Sequence, residues 1–588
     1  MLRNKNRFFE KSQEIVYNSN SKQSTKSKQM KKNFLAVLLF LIGANLTAQT
    51  IQPNKNQRYF DINKNIDIFN SVLKELDMFY VDSLKVDSLV QGTIRNMLSG
   101  LDPYTEYYSE EEMDDFRFMT TGEYAGIGAV ISYKDGHVII NEPYEELPAA
   151  KAGLKAGDII LEVDDKDMRK ATVQEVSNAL RGLPGTTVKV KIQRPGESKP
   201  ITLKIVREKI TIHPVTYADV VNGNIGYFHF GSFTENSAKE VKKTFLDLKN
   251  KGAESLIIDL RGNGGGILEE AVSIVNMFVP KGQEVVSTKG KVKQWDRVYR
   301  TGEQPLDTLI PITVLIDTGS ASASEIVAGS LQDLDRAVII GNRSFGKGLV
   351  QTTRGLPYGG SIKLTTSKYY IPSGRCIQTL DYSHRNADGS VTRVPDSLTQ
   401  IFYTKTGREV REGGGITPDI IVEEDQMGRI SYYLIMENII FDYVTDWVLQ
   451  HPTIAPPDRF EFPDADYESF KQFVKSKDFK YDQMSAKTMQ TLKEVMKFEG
   501  YMDIAAEEFK ALEAKLVPDL DRDLEFFKEE IKDLIANEIV KRYYYKKGVL
   551  IYTLQRDKVY QKAIEVLTDI DTYRSILQPT KNSSSKAS

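Results

Sequence analysis

The chain has 588 residues, 40% apolar and 27% charged, enough for several packed cores and unlike a disordered or collagen-like composition. Lys+Arg 78 against Asp+Glu 81 leaves −3, so there is no global positive field for nucleic acid. A single cysteine, Cys376, excludes an intramolecular disulfide and a zinc site built on cysteine pairs, and the five histidines are scattered without HExxH, which leaves only a carboxylate metal site open.

The charge is concentrated at the start. Residues 1–48 hold nine Lys/Arg and two Glu, a net +7 that leaves −10 on the remainder. Lys31-Lys32, the apolar run Phe34–Ile42 and Leu46-Thr47-Ala48 follow the order of a signal peptide cleaved after Ala48. The run is well short of the roughly 18 apolar residues a membrane span needs. The polar stretch 1–29 makes Met30 an alternative start. The expectation is export to a periplasm, with inner-membrane association if the leader is retained.

Residues 49–112 read as a helical segment, with Ile66, Phe69, Leu73 and Leu76 at helical spacing. It ends in Leu101-Asp-Pro-Tyr-Thr-Glu-Tyr-Tyr108, a Pro-containing aromatic turn. Residues 113–208 change to short strands and one helix, Thr172–Leu180. Residues 209–428 alternate apolar strands (Ser255–Leu260, Ile312–Ile316, Ala337–Ile340) with helices (Ile267–Phe278, Ala323–Leu334), predicting a mixed α/β sheet with crossover helices. Residues 429–588 are charged and mostly helical, ending in a Ser/Lys tail expected to be disordered. Phe509, Leu512 and Leu516 keep helical spacing up to Pro518, and Leu520, Leu524, Phe527, Ile531 and Leu534 resume it.

Several glycine-rich segments imitate other chemistries. Gly341-Asn-Arg-Ser-Phe-Gly-Lys347 begins like a phosphate loop, but Gly348 stands where Ser/Thr would hold magnesium and an extended segment follows. Gly262-Asn-Gly-Gly-Gly266 lacks the third glycine spacing of a dinucleotide fingerprint. Ser344–Lys347 and Lys405-Thr-Gly407 lack the Ser-Asp-Asn that a penicillin-binding site needs.

Asp317-Thr-Gly-Ser-Ala-Ser-Ala-Ser-Glu-Ile326 lies between a buried strand and a helix. Ser322-x-x-Glu325 reads as a capping box. Three serines separated only by alanines go beyond capping: small neighbours admit a substrate backbone, and N–H groups at the helix start can hold an oxyanion. A serine nucleophile needs a base, and no histidine falls between Gly231 and Leu380. A lysine serves if burial lowers its pKa. Lys347, between Gly346 and Gly348, can enter a tight site; a solvated loop is the competing account.

Ser320-Ala-Ser-Ala-Ser-Glu-Ile326 followed by Ser344-Phe-Gly-Lys-Gly-Leu-Val-Gln351 resembles the carboxy-terminal processing (tail-specific) serine protease family. The resemblance implies Ser322 as nucleophile, Lys347 as general base 25 positions later, and Gln351 orienting the lysine. Asp259-Leu-Arg-Gly-Asn-Gly-Gly-Gly266 extends it, with Gly266 and Ala323 implied as oxyanion-hole donors. Leu101-Asp-Pro-Tyr104, Lys363–Arg375 and Gly414-Gly-Ile-Thr-Pro-Asp419 are further family blocks, together covering roughly residues 60–425 in order. Cys376 departs from the small polar residue common there.

Tyr124-Ala-Gly-Ile-Gly-Ala-Val130 and Pro148–Ile160 resemble the carboxylate loop and central segment of PDZ domains. That implies that Gly126, Ile127 and Gly128 hold a peptide's terminal carboxylate while the peptide adds a strand beside Ala129–Ile131. Arg181 resembles a position by which some family PDZ domains contact the catalytic body; a solvated helix-end arginine is the other account. The expected protein is an α/β protease core with a small PDZ-type β/α domain, an N-terminal helical segment and a C-terminal helical region. It is expected to be an exported serine endopeptidase without cofactor or metal, cleaving near free protein C-termini and not binding nucleic acid. A PDZ adaptor that binds tails without cleaving is the alternative. The C-terminal region is expected to bury its own stripe, pack on the protease body, or dock a second copy or an adaptor.

Overall fold

The computed structural model describes residues 55–579, except 387–389, 394, 396, 398, 424–425, 483 and 517–518. The leader, the Ser/Lys tail and Pro518 lie outside the described residues. The described residues up to Gly92 and those from Thr93 onward form two compact units. The first contains α1 (Lys55–Phe79) and the start of α2 (Val86–Ser99). The helical reading of 49–112 stops at Ser99. Beyond the Asp102-Pro103 turn the chain forms β1 (Glu106–Tyr108), whose partner strand lies some 250 residues on, so local periodicity could not announce it.

The second unit begins its first domain at α3 (Met113–Thr121). Strands β2 (Glu123–Gly126), β3 (Ala129–Lys134) and β4 (His137–Pro143) follow, then α4 (Pro148–Lys151), β5 (Ile159–Val163) and β6 (Lys166–Asp167). Helix α5 (Val173–Leu180) and strands β7 (Thr187–Gln193), β8 (Ile201–Val206) and β9 (Glu208–Thr211) complete it. Thr172 caps α5 by accepting from the Glu175 N–H, which fixes where the helix starts. An antiparallel sheet in the order β3-β4-β5-β7-β8 packs Val138, Ile140, Ile160, Val188, Val190 and Ile192 against Val176 and Leu180 of α5.

The central body is a six-stranded mixed sheet. Its elements in chain order are β10 (Val215–Val221), β11 (Ile225–Phe230), α6 (Ser237–Asn250), β12 (Ser255–Asp259), α7 (Leu268–Asn276), β13 (Glu284–Gly290), β14 (Arg297–Arg300), β15 (Ile312–Ile316), α8 (Ala323–Asp333) and β16 (Val338–Gly341). There follow β17 (Leu349–Gly355), β18 (Ser361–Tyr370), two hairpins, β19 (Leu380–Arg385) with β20 (Val391–Arg393) and β21 (Ile401–Tyr403) with β22 (Glu409–Arg411), and β23 (Ile420–Ile421). The sheet order is β10-β11-β12-β15-β16-β23, antiparallel only at β10·β11. Its inner strands β12, β15 and β16 are near-continuous apolar runs, buried along their whole length because both faces are covered. Along β12, Leu256 and Ile258 face the α6–α7–α8 side, and Ile257 faces the other. A second sheet joins β1, β18, β13 and β14, with β17 on the other edge of β18.

The C-terminal region contains α9 (Arg429–Met436), α10 (Ile439–Gln450), α11 (Asp464–Ser476), α12 (Met484–Glu499), α13 (Ala506–Leu516), α14 (Leu520–Phe526), α15 (Lys528–Leu554), α16 (Lys558–Thr568) and α17 (Ile570–Ile576). Leu434, Val444, Trp447, Phe470, Leu524, Ile531 and Ile539 form its own core. Helices α16 and α17 leave that core and cover the second face of the central sheet: Val559, Tyr560, Ala563, Val566 and Leu567 pack on Tyr227, Ile257, Leu315 and Ile340. Among the described residues no helix is long and apolar enough to cross a membrane.

Candidate active site

The strand β15 ends at Ile316, and the following turn carries Asp317–Ser322 to the buried helix α8. Ser320 is fully buried, its hydroxyl donating to Leu260 O at 2.8 Å, so it is structural. Ser324 is likewise buried and donates to Asn263 O at 2.8 Å. Ser322 alone of the three is partly exposed. It has φ 55° and ψ −112°, a strained conformation for a residue with a Cβ. Strain of this kind at a strand-to-helix turn projects a serine hydroxyl out of the chain path.

Glu325 does more than cap. Its buried carboxylate accepts the Ser322 N–H at 2.8 Å, as a capping box requires. It also accepts the Ser344 hydroxyl and the N–H groups of Gly346 (2.7 Å) and Lys347 (2.9 Å). One carboxylate therefore ties the backbone of the serine turn to the backbone of the lysine loop. Burial pushes its pKa up, opposed by these four donors. Gly346 is required on the loop: its φ is 85° and a Cβ there would fall 1.6 Å from Thr379 Oγ1.

Burial, and next the nearby Lys363 ammonium, push Lys347 down to about 8. Its Nζ lies 4.4 Å from the centroid of the Tyr104 ring. Among the described residues no hydrogen bond joins it to Ser322 Oγ. Tyr104 is held by Asp102, whose carboxylate accepts the N–H groups of Tyr104 and Thr105, both at 2.8 Å. The Gln351 amide donates to Thr365 Oγ1 at 3.1 Å, and Thr365 donates to Asp102 at 3.2 Å. Gln351 thus reaches the aspartate that positions Tyr104, and has no hydrogen bond to Lys347 here. Glu325, Asp102 and Tyr104 were not singled out from the sequence as site residues. The capping-box spacing and the Leu-Asp-Pro-Tyr block were visible, but their contact with the lysine loop is tertiary.

Gly266 and Ala323 border the same turn. Ala323 is the first residue of α8, so its N–H has no intrahelical acceptor. Gly266 bridges Phe233 in parallel: Phe233 N–H donates to Gly265 O, and Ile267 N–H to Phe233 O, leaving the Gly266 N–H outside that ladder. The two loops are tied together, because the Ala321 N–H donates to Asn263 O at 3.0 Å. Tyr369 donates to Ser322 O at 3.1 Å and closes the turn from the other sheet. Among the described residues no group of three His, Cys, Asp or Glu side chains is arranged to hold a metal ion.

A separate groove of about 210 Å³ lies between β3 and α5, lined by Gly126, Ile127, Ala129, Ile131, Leu180 and Arg181 among others. Gly128 lies in the same loop; its O accepts the Tyr144 N–H. Arg181 ends α5, partly exposed on the groove lining, with its guanidinium 5.6 Å over the Tyr124 ring.

Family models match three stretches: "Peptidase family S41" at residues 224–383, "PDZ domain" at 139–194, and "Probable PDZ-protease, C-terminal helical domain" at 430–567. A carboxy-terminal-processing protease of Bartonella bacilliformis is 35% identical over 398 residues, 66% of this chain and 82% of that protein. The chain belongs to the carboxy-terminal-processing protease family. The Bacillus subtilis carboxy-terminal processing protease CtpA is 33% identical over 60% of this chain and 75% of its own length. A solved photosystem II D1 C-terminal processing protease aligns at 28% identity over 60% of this chain and 92% of that one, with a TM-score of 0.34. Within this protease, the S41 stretch contains Gly266, Ser322, Lys347 and Gln351, and the PDZ stretch contains Arg181.

Proposed function

We propose that this protease cleaves proteins near free C-termini by an acyl-enzyme route in which Ser322 is the nucleophile and Lys347 the general base. The observation that carries the reading is the Glu325 carboxylate, which anchors the backbones of both residues to one point. The substrate tail sits in the β3–α5 groove, its carboxylate toward Gly126, Ile127 and Gly128 and its backbone beside Ala129–Ile131. The chain entering the core presents its scissile carbonyl to Ser322. Lys347 turns from the Tyr104 ring and, neutral, takes the Ser322 proton as Oγ bonds the carbonyl carbon. The resulting oxyanion is held by the Gly266 and Ala323 N–H groups. The lysine ammonium then protonates the leaving amine as the C–N bond breaks. Lys347 next deprotonates a water that attacks the ester, and returns the proton to Ser322 as the new C-terminus leaves.

The lowered lysine pKa supports this assignment. At about 8, roughly a tenth of Lys347 is neutral at pH 7, against about one in three thousand for an ordinary lysine. The leader Lys31–Ala48 supports export, and exposed Phe498 and Ile504 support partner docking by the C-terminal region, as a second copy or an adaptor. The mass in solution of the chain lacking 484–516 tests that docking; an unchanged mass with and without adaptor counts against it.

The test of the main reading uses a peptide with an apolar free C-terminus and its amidated twin. Ser322→Ala and Lys347→Ala are expected to lose turnover on the order of a thousandfold or more while keeping the fold. Full turnover by either purified variant removes the assignment. Equal turnover of free and amidated peptides removes the carboxylate role of the PDZ loop.

A further inference from the structure

The loop that ends in Gly266 begins at Arg261, and Arg261 is held by two carboxylates from different parts of the chain. Its Nε and Nη2 donate to Asp259 at 2.9 and 2.6 Å, and its backbone N–H to the same group at 3.1 Å. Asp259 is buried and also accepts the Tyr227 hydroxyl at 2.8 Å. Burial works against its charge, the Arg261 guanidinium outweighs it, and the carboxyl stays below its ordinary range. The third guanidinium nitrogen, Nη1, pairs with Asp557 Oδ2 at 2.5 Å.

Asp557 belongs to the C-terminal helical region and caps α16. Its Oδ1 accepts the N–H groups of Val559 and Tyr560 at 2.9 and 3.0 Å, so cap and ion pair use different oxygens. Tyr560, one turn on, meets the Tyr227 ring edge-on at 5.4 Å. The aspartate is therefore fixed on the sheet at the point where β12 hands over to the loop. Downstream, the Gly262 N–H donates to Asp317 at 2.9 Å, and Asn263 O accepts the Ala321 N–H and the Ser324 hydroxyl. Through Gly262 and Asn263 the segment that begins at Arg261 is hydrogen-bonded to the serine turn.

We infer that Asp557 is a positioning residue for catalysis: through Arg261 it holds the 261–266 loop where the Gly266 N–H meets the developing oxyanion. The inference rests on the reading of Gly266 as an oxyanion donor. It gives the C-terminal helical region a part in the chemistry besides covering the sheet. Without a carboxylate at 557, Nη1 loses its anionic partner, and the guanidinium is held from the Asp259 side alone.

Asp557→Asn isolates the ion pair from the cap. Asparagine caps helices as well as aspartate, and its oxygen can still accept from Val559 and Tyr560. Its amide then turns N–H donors toward the guanidinium, where no acceptor remains. The full chain is assayed for kcat, KM, thermal midpoint and affinity for a peptide boronic acid, whose tetrahedral adduct with serine mimics the oxyanion. Asp557→Asn is expected to lower kcat by about tenfold or more, and boronate affinity in parallel, with KM and midpoint little changed. Asp569→Ala, which removes the cap of α17 without touching Arg261, is expected to lower the midpoint and leave kcat unchanged.

Wild-type kcat and boronate affinity in Asp557→Asn overturn the inference. So does a kcat loss without loss of boronate affinity, or one that Asp569→Ala reproduces at an equal fall in midpoint. Ser322→Ala is measured alongside: turnover surviving there sinks the nucleophile assignment, whereas loss there with none in Asp557→Asn sinks only the positioning role.

Discussion

One face of the central sheet is covered by helices that the chain makes on its way through the sheet, α6, α7 and α8. The other is covered by α16 and α17, which arrive from the far end of the chain. Both faces are equally dry: Ile257 and Ile258, adjacent on β12 and pointing opposite ways, are at 0% and 1% exposure. In this chain the core segments cover one face of the sheet and leave the other to the C-terminal helices. The helical region supplies that layer, and it does so beside Arg261, which opens the loop leading to Gly266.

The largest expected effect follows from that layer. Deleting residues 556–588 would bare Ile225, Tyr227, Ile257, Leu315, Val338 and Ile340. At about 1.5–3 kcal/mol for each large side chain, the loss is of the order of the whole stability of a domain. Loss of cooperative melting and of activity is the expected result. A truncated chain that melts cooperatively and cleaves would mean that the two faces are not equivalent.

A local change in the loop after β12 is expected to remove chemistry at some cost in stability, because the added atom meets backbone. Gly266 has φ 145°, and a Cβ there would sit 2.2 Å from Phe233 O. Gly266→Ala is expected to shift its N–H and cost about 10²- to 10³-fold in kcat, as loss of one oxyanion donor does. Steady-state kinetics beside a thermal melt check it; near-normal kcat would remove Gly266 from the oxyanion hole.

The same contrast explains what could be seen in the sequence. The alternation of apolar strands with helices, and the serine and lysine blocks, are local patterns, and the core elements lie within a residue or two of where periodicity put them. The capping-box spacing of Ser322 and Glu325 was equally visible, but its second half, the bonds to Ser344, Gly346 and Lys347, needs β16 to bring the lysine loop alongside α8. β1 was read as part of an aromatic turn because its ladder partner is Ser361–Lys363. Asp557 carried no signal except that of a helix cap. Residues whose role depends on contacts between distant segments left only ordinary local marks.

The two faces can be compared at one strand. Ile257→Ala and Ile258→Ala each remove a buried side chain, and each is expected to cost about 2–5 kcal/mol, measured by denaturant unfolding. Similar losses would show that α16–α17 pack as firmly as the crossover helices. A loss at Ile257 below about 1 kcal/mol would mark the distant layer as loosely applied.

The smallest expected effect is electrostatic and tests the lysine alone. Lys347 is depressed to about 8 by burial and, after that, by the Lys363 ammonium, while Glu106 acts the other way. A base must be neutral, so kcat/KM is expected to rise with pH through an acid limb near 8. Lys363 is paired with Glu106 at 3.0 Å. Lys363→Met removes a repelling cation and frees a carboxylate that favours the charged lysine. Both changes raise the Lys347 pKa and move the acid limb to higher pH, with the plateau rate retained. The limb shifts by less at high salt, because Lys363 and Glu106 are partly exposed and screened. An unmoved limb in Lys363→Met would count against Lys347 as the group that titrates in the rate, because Lys363 is the strongest charge acting on it.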